Sequence, residues 1–252
     1  MSAQKLFSIL LLGALSMLFA EIFSGASQIW FISPFALLIT FPLYLAHILL
    51  FLNIAIKTKR TSLAQLYFFG CIFGLYEALI TKVLWAGYPG SSEPIVGTIL
   101  GIAPFEFATL VFFWHPIMAF IFPILAYETL TKKYISGHES FLERKKRNTL
   151  ILIISFIAGG ILLSNGSGYS LSVAAIAAIG TLCLIALFYL KSKNISIANL
   201  ELGRKGLTIL IIYIILLYIS AFLFILPEKI PLFFTPYLSI AVFYAIFIFF
   251  KI

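Results

Sequence analysis

LAQLYFFGCIFGLYEALITKVLWAGY, residues 63–88, decides the fold. Its apolar length suits a helix crossing about 30 Å of hydrocarbon at about 1.5 Å per residue. Yet it carries Glu77 and Lys82. An ionisable side chain inside a span costs about 2.5–3.5 kcal/mol on the milder insertion scales, so such residues face protein or water and mark function. Gly70, Gly74, Glu77 and Thr81 fall at a 4-3-4 spacing and share one helix face. The two glycines form a small-xxx-small pair for helix packing, which aims Glu77 at a neighbouring helix and not at lipid. Lys82, on an uninterrupted helix, stands well round from Glu77 and close to Trp85 and Tyr88, which read as an interfacial aromatic belt. There it either snorkels to the surface or serves an ion site.

Composition extends this reading to the whole chain. Hydrophobic residues make up 62% and charged residues 10%, with mean hydropathy +1.12. A soluble domain carries about a quarter charged residues, so lipid is the solvent here. The fold class expected is an all-α bundle of eight transmembrane helices near 6–24, 35–56, 63–86, 105–128, 149–165, 170–190, 206–226 and 236–250. Fifteen of the seventeen basic residues fall in the terminal segments and alternate loops that lie inside if both termini are cytoplasmic. That asymmetry orients an integral protein of the cell membrane. It also explains the net charge of +8 without nucleic acid. Cleavage of the first run after the small residues 24–26 is the rival reading of the N-terminus.

Polar residues concentrate in residues 1–148, spans one to four, whereas residues 149–252 read as an apolar scaffold. Span two contains Pro42, His47 and Asn53; span four contains Glu106, His115, Pro116 and Pro123. Each proline removes an amide donor, so Pro42 frees the carbonyl of Leu38, Pro116 that of Phe112 and Pro123 that of Ala119. Span four is therefore expected to kink. His115 lies nine residues beyond Glu106, about 13–14 Å along a helix, near the depth of Glu77 on the preceding antiparallel span. A Glu77–His115 contact is expected. Before span four, the apolar stretch 95–103 is too short to cross and is read as a re-entrant or interfacial half-helix, or as an apolar surface loop. The run Arg144, Lys145, Lys146, Arg147 is suited to anionic lipid headgroups.

Several chemistries are excluded. All nine acids are glutamates, so paired-aspartate proteolysis and phospho-aspartate pumping have no residue to use. His138-Glu139 lacks the second histidine of HExxH, and no GxSxG, Walker or GxGxxG motif occurs. Cys71 and Cys183 fall mid-span and form no CxxC. Three readings remain. The first is a transporter with a protonatable site built from Glu77 and His115, with Lys82, Glu106 and His47 as further candidates. The second is a membrane-embedded hydrolase acting on a lipid or intramembrane peptide, with zinc on Glu77, His115 and His47. The third is a non-catalytic subunit bound to another membrane protein.

Overall fold

The computed structural model describes residues 2–27, 29–88, 91–142, 150, 170–192 and 195–251. Helix dominates the described residues; the only extended pairing among them is an isolated bridge between Ile99 and Ile102. Helix α1 (Ala3–Met17) continues into a π-helical turn, Leu18–Ile22. A second π turn, Ala36–Thr40, leads into α2 (Phe41–Lys57). Then come α3 (Leu63–Ile80), the single turn α4 (Val83–Ala86), and α5 (Pro104–Phe107). A long π-helical stretch, Ala108–Ile121, joins α5 to α6 (Phe122–Thr131). After α7 (Glu139–Leu142) come α8 (Leu171–Ser192), α9 (Arg204–Phe224) and α10 (Thr235–Lys251).

Six of these helical runs are long and apolar enough to cross a membrane: Ala3–Ile22, Ala36–Lys57, Leu63–Ile80, Pro104–Thr131, Leu171–Ser192 and Arg204–Phe224. Thr235–Lys251 is shorter. The expected span at 149–165 and the basic run 144–147 lie outside the described residues.

The loops sort to two ends of the bundle. At one end, the N-terminal face, Lys57 pairs with Glu201 at 2.7 Å and the Lys5 ammonium donates to the Glu201 carbonyl. At the same face His138 reaches the Thr61 carbonyl, and the Lys251 ammonium lies over the Phe69 ring. At the far face the Trp85 indole donates to the Lys229 carbonyl. Helix starts follow local chemistry: Ser62 and Gln65 form a reciprocal capping box at α3.

Proline explains much of the π helix. A ring that lacks N–H and crowds the carbonyl four residues back is relieved by a wider turn. Pro42 follows the turn 36–40, Pro116 sits inside 108–121, and Pro123 follows it. Two carbonyls beside these prolines accept from hydroxyls of other helices: Tyr67 donates to Phe112 at 2.8 Å and Ser16 donates to Ala119 at 2.7 Å. No proline accompanies the π turn 18–22.

Two expectations need correction. Residues 95–103 form no half-helix; Gly97, Leu100 and Gly101 all have positive φ, which no right-handed helix accommodates. The segment is a turn-rich loop with exposed Ile95, Val96, Ile99 and Leu100, tied down by the Ile95 amide on Glu106 and the Ala103 amide on the Leu84 carbonyl. The helix expected to run to residue 86 instead ends at Ile80, because Lys82 is left-handed at φ 63°. Lys82 does not snorkel. Its side chain is buried, and its ammonium donates to the carbonyls of Phe222, at 2.6 Å, and Ile225. It thereby places a positive charge on the last turn of α9, where the helix dipole is negative.

The core lies among α1, α2, α3 and α6, with α8 against α1, α9 against α2 and α10 against α3. Helices α8 and α9 keep long rows of Leu, Ile and Phe exposed, as a surface bathed in lipid requires.

Candidate functional site

Among the described residues the most extensive helix pairing is α3 against the π-helical stretch 108–121. Glycine makes it possible. A Cβ on Gly70 would stand 2.3 Å from the Pro116 Cα, and one on Gly74 would stand 2.9 Å from the Leu110 oxygen and 3.2 Å from the His115 Cβ. Backbone therefore meets backbone, and the side chain one turn beyond Gly74 is carried to the same neighbour. That side chain is Glu77, whose Oε2 lies 3.2 Å from His115 Nε2. The glutamate side chain is 15% exposed and the histidine 2%. The contact is at ion-pair distance, without the alignment of a good hydrogen bond. His115 Nδ1 bonds the Leu110 carbonyl at 3.0 Å, five residues back and so in π register. One ring nitrogen faces a carbonyl and the other a carboxylate. Two acceptors suit an imidazolium, the form with two N–H donors.

The neighbourhood is aromatic. The Tyr44 ring runs parallel to His115 at 6.3 Å, and Phe73 meets His115 edge-on at 5.1 Å. His47 stacks on Phe73 at 4.7 Å and lies 4.3 Å from the Tyr76 ring. Its Nδ1 donates to the Leu43 carbonyl at 2.6 Å, which leaves Nε2 buried and without a partner. That is a neutral tautomer beside the pair, contributing no counter-charge.

Glu21 is the residue that sequence reasoning missed. It stands at the end of an apolar run with no nearby polar pattern to single it out. In the fold it sits in the π turn 18–22, 8% exposed, and its backbone carbonyl accepts from the Ser24 hydroxyl at 3.1 Å. The Trp114 indole donates to the Ala20 carbonyl at 3.1 Å and ties this turn to the stretch that carries His115. One signal was available: Glu21 is the only acid in the first apolar run.

The remaining candidates have other engagements. Glu106 is buried, accepts from the Ile95 amide at 2.9 Å and keeps its second oxygen unpartnered. Lys82 is committed to α9. Among the described residues no three His, Cys, Asp or Glu side chains converge as a metal-ligand set. Glu77, His115 and His47 form no such set among the described residues, and the His47 ring lies on Phe73.

A second buried pair lies at the N-terminal face. His138 Nδ1 meets Glu128 Oε2 at 2.8 Å and Nε2 meets the Thr61 carbonyl at 2.8 Å, while the Ile135 amide donates to Glu128 Oε1. Burial alone lowers the basicity of His138, but the Glu128 carboxylate and the Thr61 carbonyl outweigh it and hold its pKa above the ordinary 6.5.

The chain belongs to an uncharacterised membrane protein family, whose model matches residues 10–250. An uncharacterised protein of Archaeoglobus fulgidus is 39% identical to it over 154 residues, covering 60% of this chain and 48% of that protein. The chain thus spans about half the length of the curated relative it matches. No solved structure matches it.

Proposed function

We propose that this member of a membrane protein family is a proton-coupled carrier whose coupling site is Glu77 with His115. One observation carries the reading: a carboxylate and an imidazole, 3.2 Å apart, are held together across α3 and a proline-interrupted π-helical span. Burying such a pair brings little net stability, since desolvation offsets the attraction. Broken spans and intramembrane Glu/His pairs are the parts from which alternating-access carriers are made. Irregular backbone also supplies a hinge that a regular helix lacks.

The chemistry asked of the site is proton exchange. Protonation of Glu77 dissolves its attraction to His115 and loosens α3 from the stretch 108–121. Deprotonation restores it. The polar site belongs to spans one to four, with the later spans as scaffold. The basic face bearing Lys5, Lys57 and Lys251 is assigned to the cytoplasm, with the run 144–147 against anionic headgroups.

The test uses purified protein in liposomes and a mixed pool of small metabolites outside, with internal contents read by mass spectrometry. An imposed inward proton gradient is expected to concentrate at least one solute, and a protonophore to abolish the accumulation. Solute entry that ignores the gradient, or no entry at all, overturns the reading.

A further inference from the structure

We propose that the crevice among α1, α2 and α9 at the N-terminal face binds one anionic phospholipid. Its phosphate would sit on Lys5 and the first turn of α9, with one hydrocarbon chain along the apolar wall beneath. The proposal is independent of the Glu77–His115 site, which lies between α3 and the stretch 108–121.

Shape comes first. The crevice has a volume of about 670 Å³, and its walls include Ile9 of α1, Leu49 of α2 and Leu210 of α9. Between Gly203 and Tyr213, which both line it, α9 rises about 15 Å. That is half of a hydrocarbon core about 30 Å thick, the depth of one leaflet. Ile209 also lines the crevice and is 68% exposed, so the space opens sideways onto the lipid-facing surface of α9.

Two glycines give this space its width. Gly203 has an ordinary φ of −65° and Gly206 lies within α9, so neither needs the conformations reserved to glycine. Packing does not require them either. Among the described residues a Cβ on Gly203 would meet nothing within 4 Å, and one on Gly206 would come no nearer than 3.5 Å to the Leu202 side chain. Glycine weakens a helix relative to alanine, and what it provides at Gly206 is room.

Charge supplies the headgroup. The Lys5 ammonium lines the crevice and gives one hydrogen bond to the Glu201 carbonyl, which leaves two of its three donors for a ligand. The Glu201 carboxylate pairs with Lys57 at 2.7 Å. Helix α9 opens with Arg204 and Lys205, and it has neither an acidic residue in its first turn nor a side-chain cap. Cations are disfavoured at the positive end of a helix, and an anion there complements both them and the free amides. Deeper in, the Tyr213 hydroxyl is buried and has no partner among the described residues. Buried hydroxyls are ordinarily paired. Helical side chains lean toward the N-terminus, which carries this donor back toward the basic face. The linkage oxygens of a glycerophospholipid lie there, between phosphate and chain. A soluble phosphate would leave the apolar wall unused.

Native mass spectrometry of the whole protein in detergent, titrated with phosphatidylglycerol or with phosphatidylcholine of identical chains, tests this. One saturable phosphatidylglycerol per chain is expected, bound about tenfold (about 1.4 kcal/mol) more tightly than phosphatidylcholine. Lys5→Gln is expected to bring phosphatidylglycerol down to the affinity of phosphatidylcholine. Gly206→Leu fills the crevice and favours the helix, so it is expected to remove the saturable site without lowering the thermal transition. Tyr213→Phe is expected to weaken both lipids alike. Equal binding of the two lipids, or phosphatidylglycerol binding unaltered in Lys5→Gln or in folded Gly206→Leu, overturns the proposal. Displacement of the lipid by glycerol phosphate at matched concentration would show a headgroup site without a chain and overturns it too.

Discussion

His138 donates from both ring nitrogens, one to Glu128 and one to the Thr61 carbonyl, and so is held as an imidazolium at the N-terminal face. Its pKa in the folded protein lies above that of the unfolded chain, near 6.5. The stabilisation is therefore complete below about that value and is lost as pH rises through the folded pKa. Thermal transitions measured from acid to mildly alkaline pH should fall across this window, and His138→Gln should flatten the decline. A decline unchanged by the substitution would contradict the assignment. The Glu77–His115 pair makes a different demand. Removing one partner of a buried pair costs about 3–5 kcal/mol, and the partial exposure of Glu77 argues for the low end. His115→Ala and Glu77→Ala should each cost about 3 kcal/mol, with the double variant close to either single one; simple additivity would show that the groups are not coupled. At this scale the sequence was legible for Glu77 and His115, because matched depth on consecutive spans is simple geometry. Glu21 was not legible. Its burial depends on how the turn 18–22 packs against neighbouring helices, and depth along the chain does not encode which helices touch.

Among the elements, α3 shows how a spacing becomes an interface. Gly70 and Gly74 lie against backbone atoms of the stretch 108–121, so a methyl group at Gly70 would have to move Pro116 itself. Gly70→Ala should destabilise by about 1–3 kcal/mol, the usual range for overpacking, and should weaken the Glu77–His115 coupling, read by repeating the double-variant comparison in that background. Full coupling retained in Gly70→Ala would contradict the view that glycine contact positions the pair. Prolines told where span four departs from the α helix, and the nearby carbonyls of Phe112 and Ala119 find hydroxyl donors. What they could not tell is that the departure is a long π-helical stretch, since a kink and a wide turn relieve the same clash. The break at Lys82 was equally hidden. A left-handed lysine costs about 1–2 kcal/mol, offset by two carbonyl contacts on α9, a partner 140 residues away. Lys82→Met should lower the melting temperature by several degrees. A transition unaltered within error would mean that the α9 contacts contribute nothing.

Across the whole molecule, apolar run length was enough to read an all-helical membrane protein, with six described helical runs long enough to cross and the expected span at 149–165 outside the described residues. Lys5, Lys57, Glu201 and Lys251 gather at one end of the bundle. Short apolar segments were harder: 95–103 has the composition of a half-helix, but three left-handed residues make it a loop. The account as a whole holds that the buried Glu77–His115 pair couples a proton to the movement of a solute. Gradient-driven accumulation into liposomes, wild type beside Glu77→Gln with matched thermal transitions, tests this most directly. The account predicts accumulation in the wild type and its loss, at least tenfold (about 1.4 kcal/mol), in folded Glu77→Gln. Equal accumulation in the two proteins would contradict it.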